Sequence, residues 1–567
     1  MSHRRRLLSL LPLLALAGCQ TGDLQQTEAS LQAANLQAGH AFGPEISAED
    51  FAAHVKVVAS DAFGGRGPGS EGEEKTLAYL REQFERLGLE PGNQGSYFQT
   101  VPMVETRVDT AASTMSVTVG GQVLPMAFGE QMVLGTRQGK PEVGVDASQM
   151  VFVGYGVNAP EAGWNDYAGL DVRGKTVVML VNDPGFHDAD PDLFEGKRMT
   201  YYGRWPYKFE EAARQGAAAA IIIHDDAGAG YGWDVVKNSW SGAQFDLAPA
   251  DEPGPRLPVQ GWITGAVADM LFARAGLDGA ALRRAAGKQG FRAVPIGDAR
   301  LDAKLQASIR QSSSRNVVAR LRGSKFPDEA IVYTAHWDHL GTHAEESGDA
   351  IYNGAIDNGT GIAGVLEIAE QFTVQSPKPE RSIVFLFVTL EESGLLGSAY
   401  YAANPVVPLA KTVAVVNIDA LPVVGPTRDL IVVGLGNSEL EDVLEPIADK
   451  QQRTLVPESA PEKGLFFRSD HFSFAKAGVP ALYAKGGTEH VDKGRDYGLS
   501  VLEDYTARRY HKPADHFDAG WDLRGIVQDL EALYQVGKTL SLARSWPNYR
   551  EGNSFKAARD ASRAGAK

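Results

Sequence analysis

Glu391 and Glu392 stand three and four residues beyond an uninterrupted apolar run, Ile383 to Val388. The run is short, β-branched and aromatic, which reads as a buried strand rather than a helix. Acids at the exit of such a strand reach the rim of a sheet, where open α/β folds place their sites. Neighbouring side chains in an extended segment point in different directions. One glutamate can therefore hold a metal while the other faces the reacting atoms. A solvated pair opening a turn would look the same in isolation, so the rest of the chain must decide.

Two further strands end on a group of the same kind. Ala330 to Ala335 runs into His336-Trp337-Asp338, and Thr412 to Ile418 runs into Asp419. Asp357 lies in Gly354-Ala355-Ile356-Asp357-Asn358-Gly359-Thr360-Gly361, just before a helix, in a turn whose glycines allow close backbone approach. His511, in Tyr510-His511-Lys512-Pro513-Ala514-Asp515, comes just ahead of the last long helix. Two imidazoles and three carboxylates suit zinc where no cysteine is at hand. Five groups exceed the three protein ligands of a single catalytic zinc. They fit two metals about 3.5–4 Å apart that share one carboxylate. Asp338, two residues past His336, is placed to orient that imidazole.

The elements that must position these groups alternate from residue 314 onward. Strands Asn316–Leu321, Ala330–Ala335, Ser382–Leu390, Thr412–Ile418, Leu430–Val433 and Ala481–Ala484 mix with helices Gly361–Phe372 and Leu523–Ala543, which predicts an α/β sandwich. Residues 47–92 read as largely helical, with Ser47 and Asp50 resembling a capping box. The glycine-rich loop from Ser60 to Ser70 lacks the Gly-Lys-Ser/Thr of a phosphate cradle. From about 100 to 300 short strands and turns take over, and they predict a smaller β-rich domain inserted into the first. The expected division is 45–120 with 300–545 for the main domain, 121–299 for the insert, and 546–567 as a frayed polar tail. Loops over 339–353, 463–474 and 485–509 are expected to shape the substrate pocket.

At 567 residues the chain exceeds the size of a single core. Its net charge of −16 argues against a nucleic-acid partner. Arg4 to Arg6 precede an apolar run, Leu7 to Ala17, too short to span a bilayer, so residues 1–18 read as a signal peptide. Leu16-Ala17-Gly18-Cys19 resembles a bacterial lipobox, with Cys19 as the lipidated first residue and 19–44 as a tether. Cys19 is the only cysteine, so no disulfide or thiolate ligand is available. Gln20 resembles sorting to an outer membrane facing the periplasm, and the acyl anchor is the only membrane attachment expected.

His-x-Asp, Asp-Asn-Gly-Thr-Gly, Glu-Glu-Ser-Gly-Leu-Leu-Gly-Ser, Asn-Ile-Asp and Tyr-His-Lys-Pro-x-Asp together, in this order, resemble metallopeptidase family 28. That is the co-catalytic zinc aminopeptidase family, which also includes the glutamate carboxypeptidases. Ser469-Asp470-His471 resembles its late motif, and the insert, with Val172-Arg173-Gly174-Lys175-Thr176, resembles a protease-associated (PA) domain. The resemblance implies a three-layer zinc-peptidase sandwich around a central mixed sheet. It implies two zinc ions per chain, one held by His336 and Asp419, the other by Glu392 and His511, with Asp357 bridging. Glu391 would be the general base, and Tyr510 would help to stabilise the oxyanion. The family often has a cis peptide after the bridging Asp and a second Asp following; here Asn358 follows. His339, His343, His471, His490 and His516 lie near the motifs, but five ligands already fill two sites.

The activity implied is zinc-dependent exopeptidase hydrolysis through a water bridging the two ions, foremost as an aminopeptidase on peptide substrates. A glutamate-type carboxypeptidase or dipeptidase is the alternative and would draw on Arg468, Lys485 or Arg495 to hold a substrate carboxylate. Glutaminyl cyclisation and non-catalytic binding on the same scaffold rank lower, because every candidate ligand is present. The oligomeric state is left open.

Overall fold

The computed structural model describes residues 40–240, 242–248, 254–343 and 348–564. The expected signal peptide, Cys19 and residues 19–39 of the tether lie outside the described residues. No helix among those described is long and apolar enough to cross a membrane.

The main sheet is mixed. Four strands run parallel in the order Arg381–Val388, Phe326–His336, Thr412–Asn417, Ala481–Gly486. Antiparallel strands flank them: Val294–Leu321 and then Phe98–Val108 on one side, Asp429–Val432 on the other. All eight residues of Arg381–Val388 are buried, as are all six of Thr412–Asn417. Alternate side chains serve opposite faces. Ile331, Tyr333, Ile383, Phe385 and Phe387 face the helices Ala48–Val58, Glu71–Arg86, Thr360–Val374 and Arg524–Leu542. Val332, Val384, Leu386 and Val388 face Tyr401 of Leu396–Ala403 and Phe474 of His471–Lys476. Helices thus cover both faces, giving the expected three layers, and covered parallel strands are what uninterrupted apolar runs encode.

A second sheet lies within the inserted region. Glu142–Phe152, Thr176–Leu180, Ala219–Ile223 and Val259–Ile263 pair in parallel, with Met132–Gly135 antiparallel at one end. Separate apolar clusters cover its two faces. The boundaries differ from expectation. Thr114–Val119, assigned to the main domain by position, pairs with residues 300–304 in the second sheet. Val294–Leu321 is one 28-residue strand whose first half joins the second sheet and whose second half joins the main one. Ala243–Leu247, within the insert, returns to pair with residues 103–107 of the main sheet. Alternation reports that a strand exists, not which strand it pairs with, and these partners are far apart in sequence.

Two local expectations change. The hydroxyl of Ser47 accepts from Asp50 N at 3.0 Å, but Ser47 N donates to Glu367, at 2.9 Å, rather than closing a box with Asp50. The tail is packed rather than frayed. Tyr549 is buried and its hydroxyl donates to Val479 O at 2.7 Å. Lys556–Ala564 is a helix whose buried Arg559 donates to Thr412 O and Val413 O, both at 3.1 Å.

Candidate metal centre

Three of the parallel strands end at one edge, and their exits carry the candidate groups. His336 is the last residue of its strand, Asp419 follows Asn417 by two residues, and Glu391 follows Val388 by three. The Asp357 turn precedes the helix Thr360–Val374 at the same edge.

Asp357 is the centre of the cluster. Its Oδ1 lies 3.3 Å from His336 Nε2, and its Oδ2 lies 3.3 Å from His511 Nε2. His336 Nε2 also approaches Asp419 Oδ1 at 3.4 Å, and His511 Nε2 approaches Glu392 Oε2 at 3.1 Å. Donor atoms of His336, Asp357 and Asp419 lie within 4.8 Å of one another, as do those of His336, Glu391 and Glu392. The five expected ligands and Glu391 therefore converge. Two imidazoles and three carboxylates, without a thiolate, fit zinc in the way the donor set demands.

The electrostatics suit a cation. Burial, reinforced by the charges of Glu392, Asp419 and Asp470, pushes the Glu391 carboxyl well above the usual carboxylate range. Burial works against a proton on His336, yet Glu391, Asp357 and Asp419 together raise its pKa well above the ordinary value. His511 is likewise lifted to about 10, burial being outweighed by Asp357 and Glu392. Carboxylates that hold protons on two imidazoles this firmly present a field in which a divalent ion can replace those protons.

Asp338 acts differently from expectation. His336 Nδ1 meets the backbone carbonyl of Asp338 at 3.1 Å, while the Asp338 carboxylate stands 3.8 Å away, too far to bond. That carboxylate instead accepts the backbone N–H groups of Glu391, at 3.2 Å, and Glu392, at 3.4 Å. It anchors the glutamate pair. Leu390, with φ of +57°, turns the chain out of the strand just before them, so the pair sits in a held turn rather than an extended segment.

The Asp357 turn is fixed from three sides. Asp515 accepts the N–H groups of Ile356 and Asp357, each at 3.1 Å. Asn358 donates to Ile418 O at 3.1 Å and accepts from Gly361 N and Ala420 N, at 2.9 and 3.1 Å. An ionised carboxylate could not donate to Ile418 O, whereas the amide makes all three bonds. The Asp357–Asn358 peptide bond is cis. Tyr510 stacks on His511 with ring centroids 3.9 Å apart and is 45% exposed.

The roles of several supporting residues went unread in the sequence. Ser469 donates to Asp419 Oδ2 at 2.5 Å and accepts from Asn417 at 2.7 Å. His339, one of the histidines set aside, lies 2.6 Å from Glu392 Oε1. Of the other four, His471 packs edge-on against Phe466 and at a tilt against Tyr483, and His343 and His490 bond backbone groups. Asp515 was visible as the last residue of its motif, without a role. The segment 494–508, expected as a pocket loop, is a helix in which only Gly498 is buried. No apolar stripe announces it.

Arg66 is fully buried in the glycine-rich loop. It donates to the carbonyls of Trp337 (2.9 Å), Val58 (2.8 Å), Asn353 (2.5 Å) and Gly354 (2.8 Å). Arg66→Met is expected to lower the unfolding free energy by at least about 3 kcal/mol, since it strands four buried acceptors. Urea unfolding of the metal-free protein measures this; a change under about 1 kcal/mol would show that water replaces the guanidinium.

Fold and cluster describe an α/β sandwich with a candidate metal centre at one edge of its main sheet. Residues 316–534 match the sequence model of Peptidase family M28. A probable leucine aminopeptidase 2 of Aspergillus oryzae is 25% identical over 358 residues, 60% of this chain and 62% of that protein. A glutamate carboxypeptidase 2 homolog of Caenorhabditis elegans is 32% identical over 231 residues, 38% of this chain and 27% of that protein. The chain thus spans less than two thirds of these curated relatives. Among solved structures, the aminopeptidase from Aneurinibacillus sp. strain AM-1 aligns over 88% of this chain and 94% of its own, at 19% identity and a TM-score of 0.48.

Proposed function

We propose that the protein is a two-zinc aminopeptidase that removes N-terminal residues from peptides. The observation that carries this reading is the placement of Asp357, one oxygen toward His336 and the other toward His511. A carboxylate so placed can serve two metals, with His336 and Asp419 completing one ligand set and Glu392 and His511 the other. Zinc, when bound, supplies Lewis acidity to a peptide carbonyl and lowers the pKa of water toward neutrality.

The chain's own groups do the rest. Glu391 accepts a proton from the attacking water and returns it to the leaving amine. Its surroundings, which raise its basicity, suit that task. Asp338 holds the Glu391 backbone in register while the proton moves. Tyr510, at the exposed side of His511, offers its hydroxyl to the developing oxyanion. Two of the three cations considered for a carboxypeptidase have partners within the chain. Lys485 Nζ is 2.6 Å from Tyr483 Oη and 3.3 Å from Asp419 O, and Arg495 pairs with Glu489 at 3.5 Å. The inserted domain is read as PA-like, and Cys19 as the lipid attachment point that holds the enzyme at an outer membrane facing the periplasm.

Metal analysis of the purified protein, together with aminoacyl-p-nitroanilides and peptides blocked at either end, tests the reading. About two zinc ions per chain and release of the first residue from amidated, but not N-acetylated, peptides is the expected result. Cleavage of N-acetylated peptides from their free carboxyl end would instead make it a carboxypeptidase. Metal-free protein without turnover would overturn both.

A further inference from the structure

We infer that His339 is a positioning residue for Glu392 and that it restricts Glu392 to one oxygen for its metal. The inference rests on the two-metal reading above. His339 Nδ1 lies 2.6 Å from Glu392 Oε1, on the opposite oxygen from the one that approaches His511. The ring is buried, and its Nε2 has no hydrogen-bond partner among the described residues. A proton on Nε2 would be stranded without an acceptor, so Nδ1 is the nitrogen placed to donate to Glu392. Oε1 is then occupied, and Oε2 is the oxygen left for a metal.

The ring cannot swing away easily. A Cβ on Gly354 would lie 2.5 Å from His339 Cδ2, so the imidazole is seated against bare backbone that no other residue type could provide. The backbone N–H of His339 donates to Arg66 O at 3.3 Å. The Arg66 guanidinium binds Trp337 O and Gly354 O, one on each side of this seat. A loop from the N-terminal part of the chain, outside the family-matched segment, thus holds the ring that holds Glu392.

Direct ligation is the competing role, because donor atoms of His339, Asp357 and Glu392 also lie within 4.8 Å of one another. The two roles need opposite chemistry at the ring, a donated proton or a free lone pair. His339→Asn keeps an N–H near the Nδ1 position but is a poor zinc ligand; His339→Leu has neither. Zinc-loaded wild type, H339N and H339L are challenged with graded chelator, and the zinc retained is counted by atomic emission. Cobalt-substituted samples report the ligand set through their visible spectra, and thermal melts of the metal-free proteins report folding. Should H339L not fold, H339F, which keeps a ring without the donor, takes its place.

H339L is expected to lose one of its two zinc ions at about 10–100-fold lower chelator than wild type and to keep the other. H339N is expected to track wild type, with an unchanged cobalt spectrum. Equal retention in H339L and wild type would overturn the inference, as would an H339N that loses zinc as readily as H339L with an altered spectrum. A wild type that binds fewer than two zinc ions overturns the two-metal reading itself and this inference with it. The wild-type count distinguishes that failure from the others.

Discussion

Glu391→Gln is expected to lower kcat by about a hundred- to ten-thousand-fold while both zinc ions stay bound. Glutamine has nearly the same shape and cannot accept the proton of the attacking water. Glu391 approaches the cluster from the His336 side, and its backbone is pinned by the Asp338 carboxylate. The substitution leaves that pin intact, because the N–H it uses belongs to the main chain. Steady-state kinetics on an aminoacyl-p-nitroanilide, with zinc counted in the same sample, checks both halves. Near-normal turnover would remove Glu391 from proton transfer. Loss of zinc would make it a ligand instead.

Asp357→Asn is expected to do the opposite, stripping the metals first and activity as a consequence. Each Asp357 oxygen faces a different imidazole, so replacing one oxygen with an NH2 group breaks one ligand set and removes the shared charge from both. Bound zinc should fall from about two ions to less than one, with activity down by at least about a thousandfold. The fold should survive. Asp515 grips the backbone N–H groups of Ile356 and Asp357, and Asn358 ties the turn to Ile418 and Ala420. None of these contacts uses the Asp357 side chain. Zinc analysis after gel filtration, beside a circular dichroism spectrum, measures both. Full zinc retention in this variant would refute a shared carboxylate.

Much of the site could be read from the chain because buried parallel strands are apolar until they stop. Ile383 to Val388, Ala330 to Ala335 and Thr412 to Ile418 each end on a group that water or a metal must satisfy. That contrast is local, so it survives in sequence. The roles of the supporting side chains did not, because hydrogen bonds are set by distances between segments far apart in the chain. Asp338 was expected to steady His336 and in fact holds the backbone of Glu391 and Glu392. His339 looked dispensable once five ligands were counted, and its bond to Glu392 depends on a loop some 270 residues upstream, where Arg66 sits. Strand pairing failed for the same reason. Residues 299–309 alternate apolar and polar, yet the strand passes from the second sheet to the main one within that stretch, at 306–307, and nothing in the alternation marks the place. The tail misled through composition. Its few aromatic groups, Trp546, Tyr549 and Phe555, anchor it, and Arg563 stacks 3.4 Å from the Trp546 ring centroid.

The proposed activity requires Asp357 to serve two metals at once. Crystals of the zinc-loaded protein, measured above and below the zinc absorption edge, locate the ions directly by anomalous scattering. Two peaks are predicted, one beside His336 and Asp419, the other beside Glu392 and His511, with Asp357 between them. A single peak, or two peaks that do not share Asp357, would contradict it.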